Sequence, residues 1–180
     1  MNFRSTTQRV LMVVLPVALG VAANAYADDI SDANETIELF KKTDPDVARF
    51  FKSSVGYAVF PGVGKGAYIV GGAHGTGFLY EGGEPVGKAS VTQVTIGLQI
   101  GGQAYAEIIF FETEGVLSDF KSGNFAFSGQ VSAVALKAGA AANAKYQWGV
   151  AVFTVPKGGL MVEASVGGQK FGYTPFEKKR

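Results

Sequence analysis

The spacing of apolar positions changes twice along this chain, and each change marks a boundary. Residues 10–23 form an almost unbroken apolar run, preceded by Arg4 and Arg9 with no acid and followed by Ala25-Tyr26-Ala27 and Asp28-Asp29. From Ile30 onward apolar residues recur at helical steps. Ile30, Ala33, Ile37 and Phe40 fall on one stripe, with Ser31, Asp32, Asn34, Glu35 and Glu38 on the other faces, which predicts an amphipathic helix. Asp44-Pro45 then reads as an N-cap with proline at the first helical position, and Val47, Phe50 and Phe51 supply the stripe of a second short helix.

After Val55 the period shortens and glycine becomes frequent. Residues 57–60, 66–73, 76–81, 86–100 and 104–111 read as strands, rich in β-branched and aromatic residues. Within 86–100, Thr92, Val94, Ile96, Leu98 and Ile100 alternate with Gln93, Thr95, Gly97 and Gln99 on the opposite face. Glu81-Gly82-Gly83-Glu84-Pro85 is a turn by composition. A helix is expected at 113–121, where Val116, Leu117 and Phe120 are suitably spaced and Thr113 stands at the cap position. Strands resume at 125–136, 149–155 and 160–168, while the alanine-rich stretch 137–146 fits either helix or strand.

The first boundary has the three parts of a secretory signal: a positive start, a short apolar middle, and small residues at −3 and −1 of the cut. A spanning helix needs about 20 apolar residues, and this run has roughly 14. Cleavage is therefore expected after Ala27, with 1–27 a signal peptide, 28–180 a single domain, and a periplasmic or secreted location. Removal of Arg4 and Arg9 leaves 14 basic against 15 acidic residues, a net charge of about −1. No global positive field remains to attract nucleic acid. Disulfides are excluded even in an oxidising compartment, because the chain has no cysteine. The same absence excludes an acylated N-terminal cysteine.

A short echo runs through the β-rich part. Val70-Gly71-Gly72, Ile100-Gly101-Gly102 and Val166-Gly167-Gly168 each place a β-branched residue before paired glycines. Paired glycines weaken a strand unless the backbone bends there or is closely approached, as in a sheet that coils on itself. The expected class is thus α+β and β-dominated: a strongly curled antiparallel sheet or partial barrel, preceded by two short helices, with one further helix near 113–121.

Catalytic chemistry is sparse. His74, the one histidine, lies in a glycine-flanked segment and reads as a turn or strand-edge residue. A structural zinc site draws on Cys and clustered His, which are missing, and no acidic cluster has calcium-loop spacing. Pro61-Gly62-Val63-Gly64-Lys65-Gly66 looks like a phosphate loop only at a glance. The Walker spacing is wrong, Gly66 stands where Ser or Thr is needed, and a strand rather than a helix follows. It reads instead as a hairpin turn with glycines at positive φ. Glu112 and Glu114 sit at a strand-to-helix junction, where acids favour the helix N-terminus. The end, Glu177-Lys178-Lys179-Arg180, reads as a solvated tail. The expectation is a non-enzyme without metal or cofactor.

The string from Gly56 to Gly66, Gly56-Tyr57-Ala58-Val59-Phe60-Pro61-Gly62-Val63-Gly64-Lys65-Gly66, followed by Val70-Gly71-Gly72-Ala73 and Gly75-Thr76-Gly77, resembles the opening motif of the SYLF domain family. The likeness continues through Gly97-Leu98-Gln99-Ile100-Gly101-Gly102-Gln103, residues 108–111 and Val116-Leu117-Ser118-Asp119-Phe120, and extends to Gly167-Gly168. The resemblance implies a bacterial lipid-binding protein related to fungal actin-binding members. Phospholipid or a membrane surface is the implied partner. Export argues against cytosolic actin. Lys65, at the expected turn tip, is the candidate head-group contact, with Lys52 and Lys88 as neighbours. The alternative is an envelope structural or interaction module whose sheet edges pair with a protein partner. A small outer-membrane barrel fits less well, given the helices and the absence of aromatic girdles.

Overall fold

The computed structural model describes residues 15–64, 72–94, 104–123, 125, 131–157 and 168–177, with side chains from Asp28 onward. Helix α1, Leu15–Thr43, passes without a break through Ala27 and Asp28. Its buried positions are Ala33, Thr36, Ile37 and Phe40; of the expected stripe Ile30 is half-buried, and Thr36 joins the other three. No helix among the described residues is long and apolar enough to cross a membrane.

Asp44 ends this segment and starts the next. Its Oδ1 accepts the Asp46 N–H at 3.1 Å, capping a 3-10 turn at Pro45–Val47 that leads into α2, Ala48–Ser53. Its Oδ2 accepts the Ala141 N–H at 2.7 Å, far along the chain. Arg49 completes this clamp by donating to the carbonyls of Ala141, at 2.8 Å, and Ala144. The stretch 137–146, open to either reading, therefore forms a short 3-10 turn, Ala141–Asn143, held by side chains of the helical segment.

Seven strands follow: β1 Gly56–Gly64, β2 Gly72–Glu81, β3 Glu84–Val94, β4 Ala104–Phe111, β5 Val134–Ala135, β6 Val150–Lys157 and β7 Gln169–Pro175. Helix α3, Glu114–Lys121, lies between β4 and β5, and Thr113 caps it by accepting the Val116 N–H. The strand order is β5-β6-β4-β1-β2-β3-β7. All pairings are antiparallel except β5 with β6, so the sheet is mixed rather than purely antiparallel. The parallel strands β5 and β6 are joined by a crossover over residues 136–149, which carries the Ala141–Asn143 turn.

The sheet is open yet curled. In a flat sheet β4 and β7, four steps apart in the order, would be separated by about 19 Å. Here Gln169 of β7 donates to Glu107 of β4 at 2.9 Å, and the Phe60 and Phe171 rings lie 6.0 Å apart. Part of the bend sits in β1, whose register slips between Val59 and Gly62 against β2. That irregularity drives the Val59 carbonyl toward Gly77, where an added Cβ would stand 1.9 Å from the oxygen. Only glycine fits there. Most of the Gly-Gly echo lies outside the described residues.

The curl gives the sheet two buried faces. The outer face packs Tyr57, Val59, Phe78, Tyr80, Ile108, Phe110 and Phe153 against α1 and α2. The concave face packs Phe60, Val91, Ile109, Phe111 and Phe171 against Leu117 and Phe120 of α3. Lys121 anchors the end of α3 to Glu81 at the β2–β3 hairpin through a 2.6 Å ion pair.

Four expectations change. The segment 61–64 is strand, not turn, because the bulge absorbs its glycine, and Gly62 is not at positive φ. The tight glycine turn is Gly82–Gly83, with φ of 60° and 87°. Gln93 is buried while its neighbour Thr92 is exposed, because the curl turns the Gln93 face inward. His74 is an exposed residue on an interior strand, not an edge, with Nδ1 3.3 Å from Thr92 Oγ1. Of the strand expected at 125–136, Val134–Ala135 is strand among the described residues; that at 160–168 lies outside them except for Gly168, and β7 begins just after it.

Candidate functional site

Two recesses and one buried cluster among the described residues offer chemistry. The first recess is a groove of about 490 Å³ on the α1 side of β2, β3 and β7. Alternation places Thr76, Lys88, Ser90 and Thr174 toward it, since these residues are paired or diagonal neighbours across the three strands. Asp29 and Asp32 of α1 form the opposite wall. Half-buried Lys88 and three hydroxyl side chains thus share one polar groove with two carboxylates. Such a lining can hold phosphate oxygens on one side and a cationic group on the other.

The second recess, about 420 Å³, lies where α2 meets the segment before β6. Arg49, Ser53, Lys145 and Tyr146 line it, with Glu112 as its acid. Arg49 lies over the Phe50 ring at 4.7 Å, and Ser53 Oγ shares a 2.9 Å hydrogen bond with the Tyr146 hydroxyl. Burial raises the Tyr146 pKa; the Ser53 hydrogen bond opposes that, Glu112 adds to it, and Arg49 opposes it.

The cluster is on the concave face, at the end of β4 away from α3. Gln169 Nε2 donates to Glu107 Oε2 at 2.9 Å and to the Tyr105 hydroxyl at 3.2 Å, and Tyr105 donates to Gln93 Oε1 at 2.9 Å. Thr154 stands opposite Glu107 on β6. Glu107, Thr154 and Gln169 are fully buried, and Glu107 Oε1, Thr154 Oγ1 and Gln169 Oε1 have no hydrogen-bond partner among the described residues. Burial drives the Glu107 carboxyl up from 4.5 to about 7, against the opposing pull of the Gln169 hydrogen bond. Among the described residues this carboxyl lines neither recess.

The three sequence candidates are not brought together. Lys88 lines the first groove. Lys52 is exposed on α2, next to Ser53 of the second recess. Lys65 lies outside the described residues. Sequence reading missed Glu107, although an acid at an inward position of the apolar strand Ala-Tyr-Ala-Glu-Ile-Ile-Phe-Phe was a usable signal. It also missed Arg49 and Tyr146, whose meeting depends on the Asp44 clamp and leaves no local trace.

The architecture is an α+β domain built on one open, curled sheet. Residues 92–173 match the model of the Ysc84 family, described as "Las17-binding protein actin regulator", the SYLF domain that the chain's motifs resemble. A relative from Aeromonas veronii, "Beta cell expansion factor A", is 27% identical over 154 residues, covering 84% of this chain and 56% of the relative. The chain thus spans little more than half the length of that curated relative.

Proposed function

We propose that this protein is a non-enzymatic phospholipid-binding domain that works after export, in the periplasm or outside the cell. The observation that carries the reading is the Lys88 groove. Its ammonium and the hydroxyls of Thr76, Ser90 and Thr174 suit a phosphate, and Asp29 and Asp32 opposite suit the ammonium of a zwitterionic head group. The charge pattern favours such lipids over phosphoinositides, whose several negative charges would meet the α1 carboxylates. The described concave face supports a head-group contact rather than an enclosed acyl chain, because phenylalanine side chains fill it.

Cleavage after Ala27 fits the core, since every described buried position of α1 lies at Ala33 or beyond. Co-sedimentation of the protein with phosphatidylethanolamine and phosphatidylcholine vesicles tests the reading. Pelleting with these vesicles is expected, and absence of binding to both zwitterionic and anionic vesicles would discard it. N-terminal sequencing of the exported protein is expected to begin at Asp28. A second reading, an interaction module, draws on β7, which among the described strands pairs only with β3 and so leaves an edge for a partner strand. Capture of one stoichiometric protein partner by lipid-free protein would favour it.

A further inference from the structure

Trp148 occupies a conformation that its residue type disfavours. It has φ of 54° and is followed by Gly149 with φ of 79°, between Gln147 and Val150, which exchange backbone hydrogen bonds of 2.7 and 3.0 Å. This is a two-residue turn with both central residues left-handed, a geometry that selects Asn, Asp or Gly at its first position. A bulky aromatic there is strained, and local strain retained in a rigid frame is grounds for asking what the side chain does.

The frame is rigid. The Gly149 carbonyl accepts the Glu112 N–H at 2.8 Å, and a Cβ at Gly149 would lie 2.7 Å from Val116 Cγ2, so the turn is pressed onto the start of α3. Tyr146, two residues earlier, is fixed by Ser53 and by edge contact with Phe50 at 5.3 Å. The indole gains no burial from this. It is 75% exposed, the most exposed large apolar side chain among the described residues.

The turn adjoins the second recess, whose lining supplies Arg49 and Lys145 against the single carboxylate of Glu112. Lys52 is exposed beside Ser53. An exposed indole next to a surplus of cations matches the bilayer boundary, where tryptophan rings settle at head-group depth and basic side chains meet phosphates.

We propose that the Trp148 turn is a membrane-contacting tip, its indole entering the head-group boundary of a phospholipid bilayer while the Arg49–Lys145 recess receives a lipid phosphate. The inference rests on the phospholipid-binding reading and adds to it a surface distinct from the Lys88 groove.

Trp148 is the only tryptophan in the chain, so its emission reports on this turn alone. The full-length protein is titrated with vesicles of phosphatidylcholine mixed with phosphatidylglycerol, with and without bromine on the acyl chains, and pelleting is measured in parallel. The expected result is a blue-shifted emission quenched by the brominated lipid. Pelleting with a water-exposed, unquenched emission overturns the membrane tip while leaving lipid binding standing, and absence of pelleting with any vesicle overturns both. Trp148→Asn separates fold from function. Asparagine suits the left-handed turn, so the melting temperature is expected to hold or rise while vesicle affinity falls about tenfold. Unchanged affinity in a folded W148N protein would also overturn the tip.

Discussion

Strand β4 carries two different environments on its two faces. Ala106, Ile108 and Phe110 point to the outer face, where the Phe50, Phe51 and Phe153 rings lie 4.8 to 5.9 Å from Phe110 and the helices complete a largely apolar core. Tyr105, Glu107, Ile109 and Phe111 point to the concave face, which is apolar beside α3 and polar at its other end. Both ends are buried. The difference teaches that in a curled sheet burial is set by shape, so an acid can be enclosed by strands that meet across the curl.

The comparison can be broken most severely on its apolar side. Phe110→Ala removes a fully buried ring from the outer core and is expected to cost about 3–5 kcal/mol of unfolding free energy in chemical denaturation. A loss below 1 kcal/mol, on the order of a surface change, would show that this face is loosely packed.

On the polar side the expected sign reverses. A carboxyl pKa raised on folding means that the folded state holds its proton more tightly than the unfolded chain. The associated stability is fully present below 4.5 and is lost as pH rises through about 7. Denaturation midpoints of the wild type should therefore fall between pH 5 and pH 8. Glu107→Gln should abolish this fall and be the more stable protein at pH 8, by about 3.4 kcal/mol at most. A wild-type curve that rises over that window would mean the carboxyl is charged and compensated.

Asp44→Ala sharpens the comparison by loosening only the outer face. It leaves the buried Ala141 N–H without its acceptor and uncaps the 3-10 turn, for an expected cost of about 1–3 kcal/mol. The smallest stability effect belongs to Lys88→Gln, within about 0.5 kcal/mol of wild type. Its expected consequence is a several-fold loss of vesicle affinity in co-sedimentation.

Much of this was legible where the signal is local. The stripe from Ile30 to Phe40, the Asp44-Pro45 cap and Thr113 each act within one or two turns, and all three helices appear where they point. β4 has the expected bounds, because its whole run of residues is buried on both sides bar Ala104. β7 was missed, since the strand depends on pairing with β3. The burial of Gln93 and Gln169 depends on the curl, which brings distant strands together without any periodic trace. Of the candidate lysines, Lys88 lines an open groove, although the sequence offered it only as a neighbour of Lys65. The Trp148 turn was not anticipated, since propensity argues against that residue in that conformation.

Native mass spectrometry of the purified protein, followed by lipid extraction, tests the central claim most directly. The account expects a population carrying the mass of one zwitterionic phospholipid, diminished in the Lys88→Gln protein. A lipid-free spectrum that stays unchanged after incubation with phosphatidylethanolamine would contradict it.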